Sequence, residues 1–203
     1  MKYAGRSVRS VFDRRVDRFT KVRVHLFNAK YSDTKDLQIQ VNPEFGNKSQ
    51  ARAQALKYAR VMGRIPNCLR RNLKTVTIHD GFQPFGGGGR DVLIHTQQSI
   101  ELYETAGILE ETLVHEAVHA VLDRKYETSA DWLAAQRQDP EFITTYARDN
   151  PTREDLAESF LFFLAATYRP ERISVENLAI INSTIPARIQ FFQSKNLNMK
   201  PVE

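Results

Sequence analysis

Apolar and polar positions alternate with a period of two in four stretches of the first hundred residues, and this period predicts β-strands. The stretches are FTKVRVHLFN at 19–28, DLQIQVNPEF at 36–45, LKTVTIHD at 73–80 and DVLIHT at 91–96. The first two are expected to be neighbours or the arms of a hairpin. Between them and the third, residues 47–66 have helical spacing that ends at Pro66. The glycine-rich GFQPFGGGGR at 81–90 predicts a long flexible loop.

From residue 100 onward the apolar positions recur with helical spacing. The helix predicted for residues 108–124 contains LVHEAVHAVLD at 113–123. Four further helices are predicted, and they are SADWLAAQRQ with Ser129 as N-cap, DPEFITTYAR with Asp139 as N-cap, NPTREDLAESFLFFLAATYRP with Thr152 as N-cap, and PARIQFFQSK.

Strands followed by helices are typical of an α+β domain with a small mixed sheet. The length of 203 residues suits one domain. We therefore predict a single domain over residues 1–203. Its sheet-containing half covers about 19–107, the central helix about 108–124 and the helical C-terminal half about 125–203.

Composition narrows the class of protein. No run approaches eighteen apolar residues, so we expect no membrane span. The N-terminus is basic but has no apolar segment, so it is no intact signal peptide, although a trimmed mature form would fit. Cys68 is the only cysteine, which excludes an internal disulfide and a cysteine-based zinc ribbon. The compartment stays open.

The net charge of +5 comes largely from basic residues within 6–23 and 64–74. Such clusters can contact phosphate groups, but they are more often solvated faces or surfaces that favour an acidic partner. No nucleic-acid-binding motif accompanies them. We therefore expect no specific binding to nucleic acid.

The pattern HEAVH at 115–119 carries the first candidate chemistry. His115 and His119 are four residues apart, so they share one face of a helix and can hold one ion. Glu116 lies about 100° around the helix from His115, where it can act as a base without binding the ion. The alternative is a core helix whose histidines are satisfied by hydrogen bonds. Burying two histidines and a glutamate is costly, and a zinc ion would offset that cost.

A catalytic zinc site needs a third protein ligand. The longer pattern HExxHxxGxxH is absent, because Leu122 and Lys125 stand where it requires glycine and histidine. A carboxylate from the helix EDLAESFLFFLAA remains, where Glu154 and Glu158 are four residues apart. That helix is too apolar to lie on the surface. Spacing alone leaves open which of the two glutamates binds.

HEAVH followed about 35 residues later by ExxxE resembles the gluzincin metallopeptidases. More narrowly, HEAVHAVLD, TTYARDNP and EDLAESF resemble the catalytic domain of the lethal-factor-type metallopeptidases, which include the proline-proline endopeptidases. The resemblance covers about residues 115–160. It implies a zincin-like fold and a zinc-dependent endopeptidase with one Zn²⁺. It also leans towards secretion.

The resemblance further implies a role for each matching residue. His115, His119 and Glu154 would be the metal ligands, and Glu116 the general base. Glu158 would orient a ligand histidine through its second ring nitrogen. Tyr146 would stabilise the oxyanion, although its interval to Glu154 is about one residue longer than usual.

A peptide or protein substrate is the partner that the resemblance implies. In zincin folds a strand before the active-site helix runs along the cleft, and a substrate pairs with it as an added strand. DVLIHT is the candidate strand, with Gly88, Val92 and Ile94 as the expected contacts. The glycines would form a mobile flap or an edge. They lack the patterns of a phosphate-binding loop.

The sequence also allows other functions, and it leaves the roles of several residues undecided. The first alternative is a catalytically silent zinc-binding or interaction module of the same fold. A DNA-associated protease of the SprT type is disfavoured, because that family has a third histidine ligand and often a cysteine ribbon. His25, His79 and His95 are expected to be structural or exposed. Asp123 is expected either to support a ligand or to lie on the surface. The preferred peptide and the oligomeric state remain unassigned.

Overall fold

The structure is a computed structural model that describes residues 1–32 and 36–202. Its strands are β1 (Lys2–Asp13), β2 (Arg18–Ala29), β3 (Leu37–Val41), β4 (Thr75–His79), β5 (Gly86–Gly88) and β6 (Asp91–His95). Its helices are α1 (Lys48–Met62), α2 (Asn67–Arg70), α3 (Thr96–Gln98), α4 (Leu109–Val121), α5 (Asp123–Tyr126), α6 (Ala130–Gln138), α7 (Thr145–Asp149), α8 (Asp155–Tyr168), α9 (Val175–Thr184) and α10 (Pro186–Ser194). Shorter segments are a π-helical turn at Ser99–Glu104 and 3-10 turns at Pro43–Phe45 and Pro170–Arg172.

The strands form one mixed sheet in the order β1-β2-β3-β4-β6-β5. The central pairs β3–β4 and β4–β6 are parallel, whereas β1–β2, β2–β3 and β5–β6 are antiparallel. The four predicted strands are confirmed as β2, β3, β4 and β6, and β2 and β3 are neighbours as expected. A mixed sheet in the first half and helices in the second agree with the α+β prediction.

Strand β1 was absent from the prediction. It pairs with β2 from Lys2↔Asn28 to Asp13↔Arg18, with a bulge between Tyr3 and Arg6. Most of its outward positions are exposed and basic or small, so the apolar alternation that marks the other strands is weak here. The basic N-terminal segment is therefore one arm of a long hairpin.

The glycine run is a strand against α4, which corrects the prediction of a flexible loop. Gly86–Gly88 pairs antiparallel with β6 and forms the edge of the sheet. A Cβ atom on Gly87 would lie 1.8 Å from the Glu116 carbonyl oxygen and 2.9 Å from the His119 Cβ. Glycine is therefore required at 87 for this edge strand to lie directly on the helix that carries the histidines.

Two predicted helix starts are wrong. Residues 139–144 are not helical, and α7 begins only at Thr145, capped by the Thr144 hydroxyl, which accepts from the backbone N–H of Ala147. Asp139 does cap a helix, but that helix is α10, since its carboxylate accepts from the backbone N–H groups of Ala187 and Arg188. Helix α8 begins at Asp155 rather than after Thr152, and α9 was missed.

A buried ion network explains the later start of α8. Arg188 donates from Nη1 to Asp139 at 2.8 Å and from Nε to Asp155 at 2.9 Å, and all three side chains are fully buried. Gln136 donates to the Asp155 carboxylate and to the Pro151 carbonyl. Removing one partner of a buried ion pair costs about 3–5 kcal/mol. The network therefore holds the turn before α8, which carries Glu154, in a fixed place.

One hydrophobic cluster joins the helix-covered face of the sheet to the helices of both halves. Helix α4 lies in its middle and buries Leu113, Val114, Ala117 and Val118. It contacts β5 and β6 on one side and α8 on the other. This packing brings the polar edge of α4 next to the start of α8.

The opposite face of the sheet carries His79 and His95 on adjacent strands, stacked with ring centroids 5.6 Å apart. His95 is fully buried, and neither of its ring nitrogens has a hydrogen-bond partner among the described residues. Burial first, and then the neighbouring His79, lower the pKa of His95 from 6.5 to about 4. Both histidines are therefore buried, which leaves the structural alternative of the expectation and excludes the exposed one.

We expect His95 to reduce stability in acid. As the pH falls from 6.5 to 4, the unfolded chain takes up the proton and the folded chain largely does not, so folding loses about 3 kcal/mol from this group. Urea unfolding of the wild type and of His95→Gln between pH 4.5 and 7.5 measures the difference. Both proteins contain the other groups that titrate in this range, such as Asp91, whose pKa burial raises to about 6. The contributions of those groups therefore cancel when the two unfolding free energies are subtracted. If the unfolding free energies of the two proteins changed in parallel over the whole pH range, the prediction for His95 would be wrong.

Candidate metal centre

Three side chains from two elements meet at the polar edge of α4. His115 and His119 lie one turn apart on α4, and Glu154 is the residue immediately before α8. The apolar stripe of α4 is buried in the core, which fixes the direction in which the two imidazoles point. Glu154 is 4% exposed. The structure thus brings together the three residues that the resemblance implied as ligands.

The candidate ligand atoms form a small triangle. The Nε2 atoms of His115 and His119 are 3.0 Å apart. Glu154 Oε2 lies 3.1 Å from His119 Nε2 and 3.3 Å from His115 Nε2. The other oxygen, Oε1, is paired with Arg153 at 3.3 Å, so Oε2 is the oxygen that faces the imidazoles.

These residues fit a divalent metal ion. Four ligands at about 2.0–2.2 Å in a tetrahedron are about 3.3–3.6 Å apart, close to the sides of this triangle. Two imidazole nitrogens and one carboxylate oxygen are donors that first-row metals accept, and three protein ligands leave a fourth position open. Within residues 1–32 and 36–202, this is the cluster whose donor atoms all lie within 4.8 Å of one another.

A second layer of carboxylates orients the imidazoles. His115 Nδ1 lies 3.2 Å from Glu158 Oε1, and His119 Nδ1 lies 2.6 Å from Asp123 Oδ2. A carboxylate at Nδ1 keeps the proton there and leaves Nε2 free to bind a metal. Glu158 stands where the resemblance placed it. Asp123, which the sequence left undecided, performs the same role for the other histidine.

Thr144 also belongs to this layer of side chains, and its role was not predicted from the sequence. Its hydroxyl lies 2.9 Å from Glu158 Oε2, and the same side chain caps α7. Thr144 thereby ties α7, which carries Tyr146, to the carboxylate behind His115. A threonine before a short helix is the only local sign of this role, and the partner Glu158 is fourteen residues away.

The carboxylates also determine the charge of the site. Burial lowers the pKa of His115, but hydrogen bonds to Glu154 and Glu158 outweigh it and raise that pKa to about 9. Burial also lowers the pKa of His119, but its hydrogen bonds to Asp123 and Glu154 outweigh this effect and raise that pKa to about 10. The pKa of Glu154 is held far below its usual range by the two histidines, against the effect of burial. The surroundings favour positive charge at the triangle, which protons or a metal cation can supply.

Glu116 lies beside the triangle rather than in it. Burial raises the pKa of its carboxyl group, while the nearby charges of His115, His119 and Arg14 lower it. Its backbone carbonyl abuts Gly87 of the edge strand. A partly desolvated carboxylate next to the candidate metal centre and the edge strand β5 has the position that proton exchange with a bound molecule would require.

Tyr146 lies on the open side of the site. It is 51% exposed, and its hydroxyl lies near the Glu154 carboxylate. Burial first, and then the nearby Glu154 carboxylate, raise its pKa, so the hydroxyl keeps its proton at neutral pH. Despite the one-residue difference in spacing, the side chain lies next to the ligand carboxylate.

The substrate strand predicted from the sequence needs correction. Val92 and Ile94 are fully buried in the core, so their side chains cannot contact a substrate. Strand β6 lies between β4 and β5, so it is not the edge of the sheet. The edge beside α4 is β5, where Gly88 is exposed. Of the three predicted contacts only Gly88 lies on an accessible edge.

Comparison with protein-family models, with curated proteins and with solved structures finds no match to the chain. Nor does any helix in the described part of the chain have both the length and the apolar character needed to cross a membrane. The site geometry and the sequence motifs are therefore the basis for assigning a function.

Proposed function

We propose that the protein is a zinc-dependent endopeptidase of the gluzincin type with a zincin-like fold. The observation that carries the proposal is the convergence of His115, His119 and Glu154 on one point, with Glu116 beside them. The sequence resemblance to lethal-factor-type metallopeptidases supports it independently of this geometry. Secretion is the compartment that this resemblance favours.

Each residue of the site has its own role in the proposed reaction. His115, His119 and Glu154 would hold one zinc ion, which would lower the pKa of a water molecule and polarise the scissile carbonyl. Glu116 accepts a proton from the attacking water and delivers it to the leaving amine.

Tyr146 and β5 act on the substrate. The Tyr146 hydroxyl is a protonated donor next to Glu154, suited to stabilising the negative charge that develops on the carbonyl oxygen. Among the described residues, Gly86–Gly88 form an edge of the sheet that lies along α4, and an extended peptide can bind to this edge by main-chain hydrogen bonds. No residue pattern for capturing a free peptide terminus is recognisable, which favours internal cleavage.

Digestion of a complex peptide mixture tests this proposal. We expect the zinc-loaded protein to cleave internal bonds, a chelator to stop cleavage, and added zinc to restore it, since the site binds its ion through only three protein side chains. Mass spectrometry of the products identifies the cleaved bonds. A protein that binds one zinc but cleaves nothing would instead support the silent zinc-binding module.

A further inference from the structure

A large cavity opens next to the metal centre at the C-terminal end of α4. Its volume is about 1000 Å³, and its walls come from α2, the end of α4, α5, the turn between β5 and β6, and residues 196–198. His119 belongs both to this wall and to the metal triangle. The cavity therefore meets the metal triangle at His119.

The walls of the cavity carry an excess of positive charge. Five cationic side chains line it, and they are Arg71, Lys74, Arg90, Arg124 and Lys125. All five are exposed, and Asp36 is the acidic residue among the described lining residues. None of the five forms an ion pair with a carboxylate in the described part of the chain. Their charge is therefore available to a ligand.

Arg90 connects the cavity to the strand edge. It lies in the β5–β6 turn, immediately before β6, and its backbone N–H donates to the Ala120 carbonyl of α4 at 3.2 Å. Its side chain is held at the wall by a hydrogen bond from Nε to the Asn72 carbonyl. A peptide that extends along Gly86–Gly88 leads to Arg90, because a strand advances only about 3.3 Å per residue. The cavity is thus within a few residues of a peptide bond at the metal.

We propose that this cavity binds acidic side chains of the substrate, so that the protein acts on peptides with aspartate or glutamate near the cleaved bond. The inference rests on the proposed function and adds the substrate class to it. Arginine and lysine form charge-assisted hydrogen bonds with carboxylates. Complementary charge also speeds the encounter with an anionic substrate and repels a cationic one.

Binding to the zinc-loaded Glu116→Gln variant provides the test, because it requires no hydrolysis. The probes are fluorescent decapeptides, amidated at the C-terminus, that carry three glutamates, three glutamines or three lysines at the same positions. Amidation removes the terminal carboxylate, so that only side chains differ. Fluorescence anisotropy should show the glutamate peptide binding about tenfold more tightly than the glutamine peptide, and the difference should shrink with added salt.

A pair of double variants, each made in this background, locates the effect. Arg124→Gln with Lys125→Gln should remove most of the preference for glutamate. Arg52→Gln with Arg60→Gln, two exposed positions of α1 away from the cavity, removes the same charge and should leave the preference intact. Equal losses in both double variants would show that net charge alone is responsible, and the inference would be wrong.

The two proposals can fail separately. Equal binding of the glutamate and glutamine peptides overturns the inference, even if the wild type cleaves both of them. Selective binding of the glutamate peptide, lost on changing Arg124 and Lys125, supports the inference even if the wild type cleaves nothing. In that case only the proposed hydrolysis is contradicted.

Discussion

Replacing Glu116 with glutamine is expected to lower kcat/KM for peptide cleavage by about 10²–10⁴-fold, the usual contribution of a general base. Glutamine has nearly the same shape as glutamate but cannot accept the proton of the attacking water. The loss corresponds to about 3–5 kcal/mol of transition-state stabilisation. Because Glu116 is outside the triangle of ligand atoms, the variant should keep its zinc. Initial rates on one peptide from the digest, with metal analysis of the same samples, measure both effects.

The matched control for this prediction is Glu111→Gln. Glu111 lies in the first turn of the same helix and is exposed. The control variant therefore removes the same charge without changing a side chain of the site. Its activity should equal that of the wild type. Cleavage by Glu116→Gln at a rate within about threefold of the wild type would refute the proposed role of the carboxylate.

Replacing His119 with alanine is expected to weaken zinc binding more than about 100-fold. Loss of an outer partner alone costs about 10–100-fold in metal affinity, and this change removes a ligand itself. It also leaves Asp123 and Glu154 without the histidine that lies 2.6 and 3.1 Å from them. Competition with a colorimetric zinc chelator measures the affinity.

Thermal unfolding gives a second readout of the same change. A metal that binds only the folded chain raises its stability by mass action, so a chelator should lower the Tm of the wild type. His119→Ala should show no such shift. His25→Gln is the control, since His25 contacts Tyr3 and the Gly46 carbonyl rather than the site, and it should keep both its zinc and the shift. A chelator-induced shift of wild-type size in His119→Ala would contradict the assigned ligand.

The two histidines of the candidate metal centre could be predicted because their signal is local, whereas the choice of Glu154 over Glu158 came from the resemblance. Helical periodicity alone places His115 and His119 on one face, and the apolar sequence after Glu154 predicts a buried helix. The same reasoning identified the four strands with apolar alternation. In these segments the chemistry of neighbouring residues determines both the element and the direction of its side chains.

The parts that the sequence did not reveal depend on contacts between distant residues. The glycine-rich sequence around Gly87 predicts a flexible loop, yet Gly87 lies in an edge strand that packs directly against α4. Asp139 has the character of a helix cap, but the N–H groups that it satisfies belong to α10, nearly fifty residues later. Asp123 has the correct spacing from His119, but a surface acid has the same spacing. Only the direction of the imidazole distinguishes the two.

Native mass spectrometry of the purified chain after incubation with micromolar zinc and buffer exchange tests the central claim, that His115, His119 and Glu154 together hold one zinc ion. The wild type and Glu116→Gln should each carry one zinc per chain, and His119→Ala and Glu154→Ala should carry none. A wild type that retains no zinc, or a His119→Ala variant that retains one, would contradict the claim.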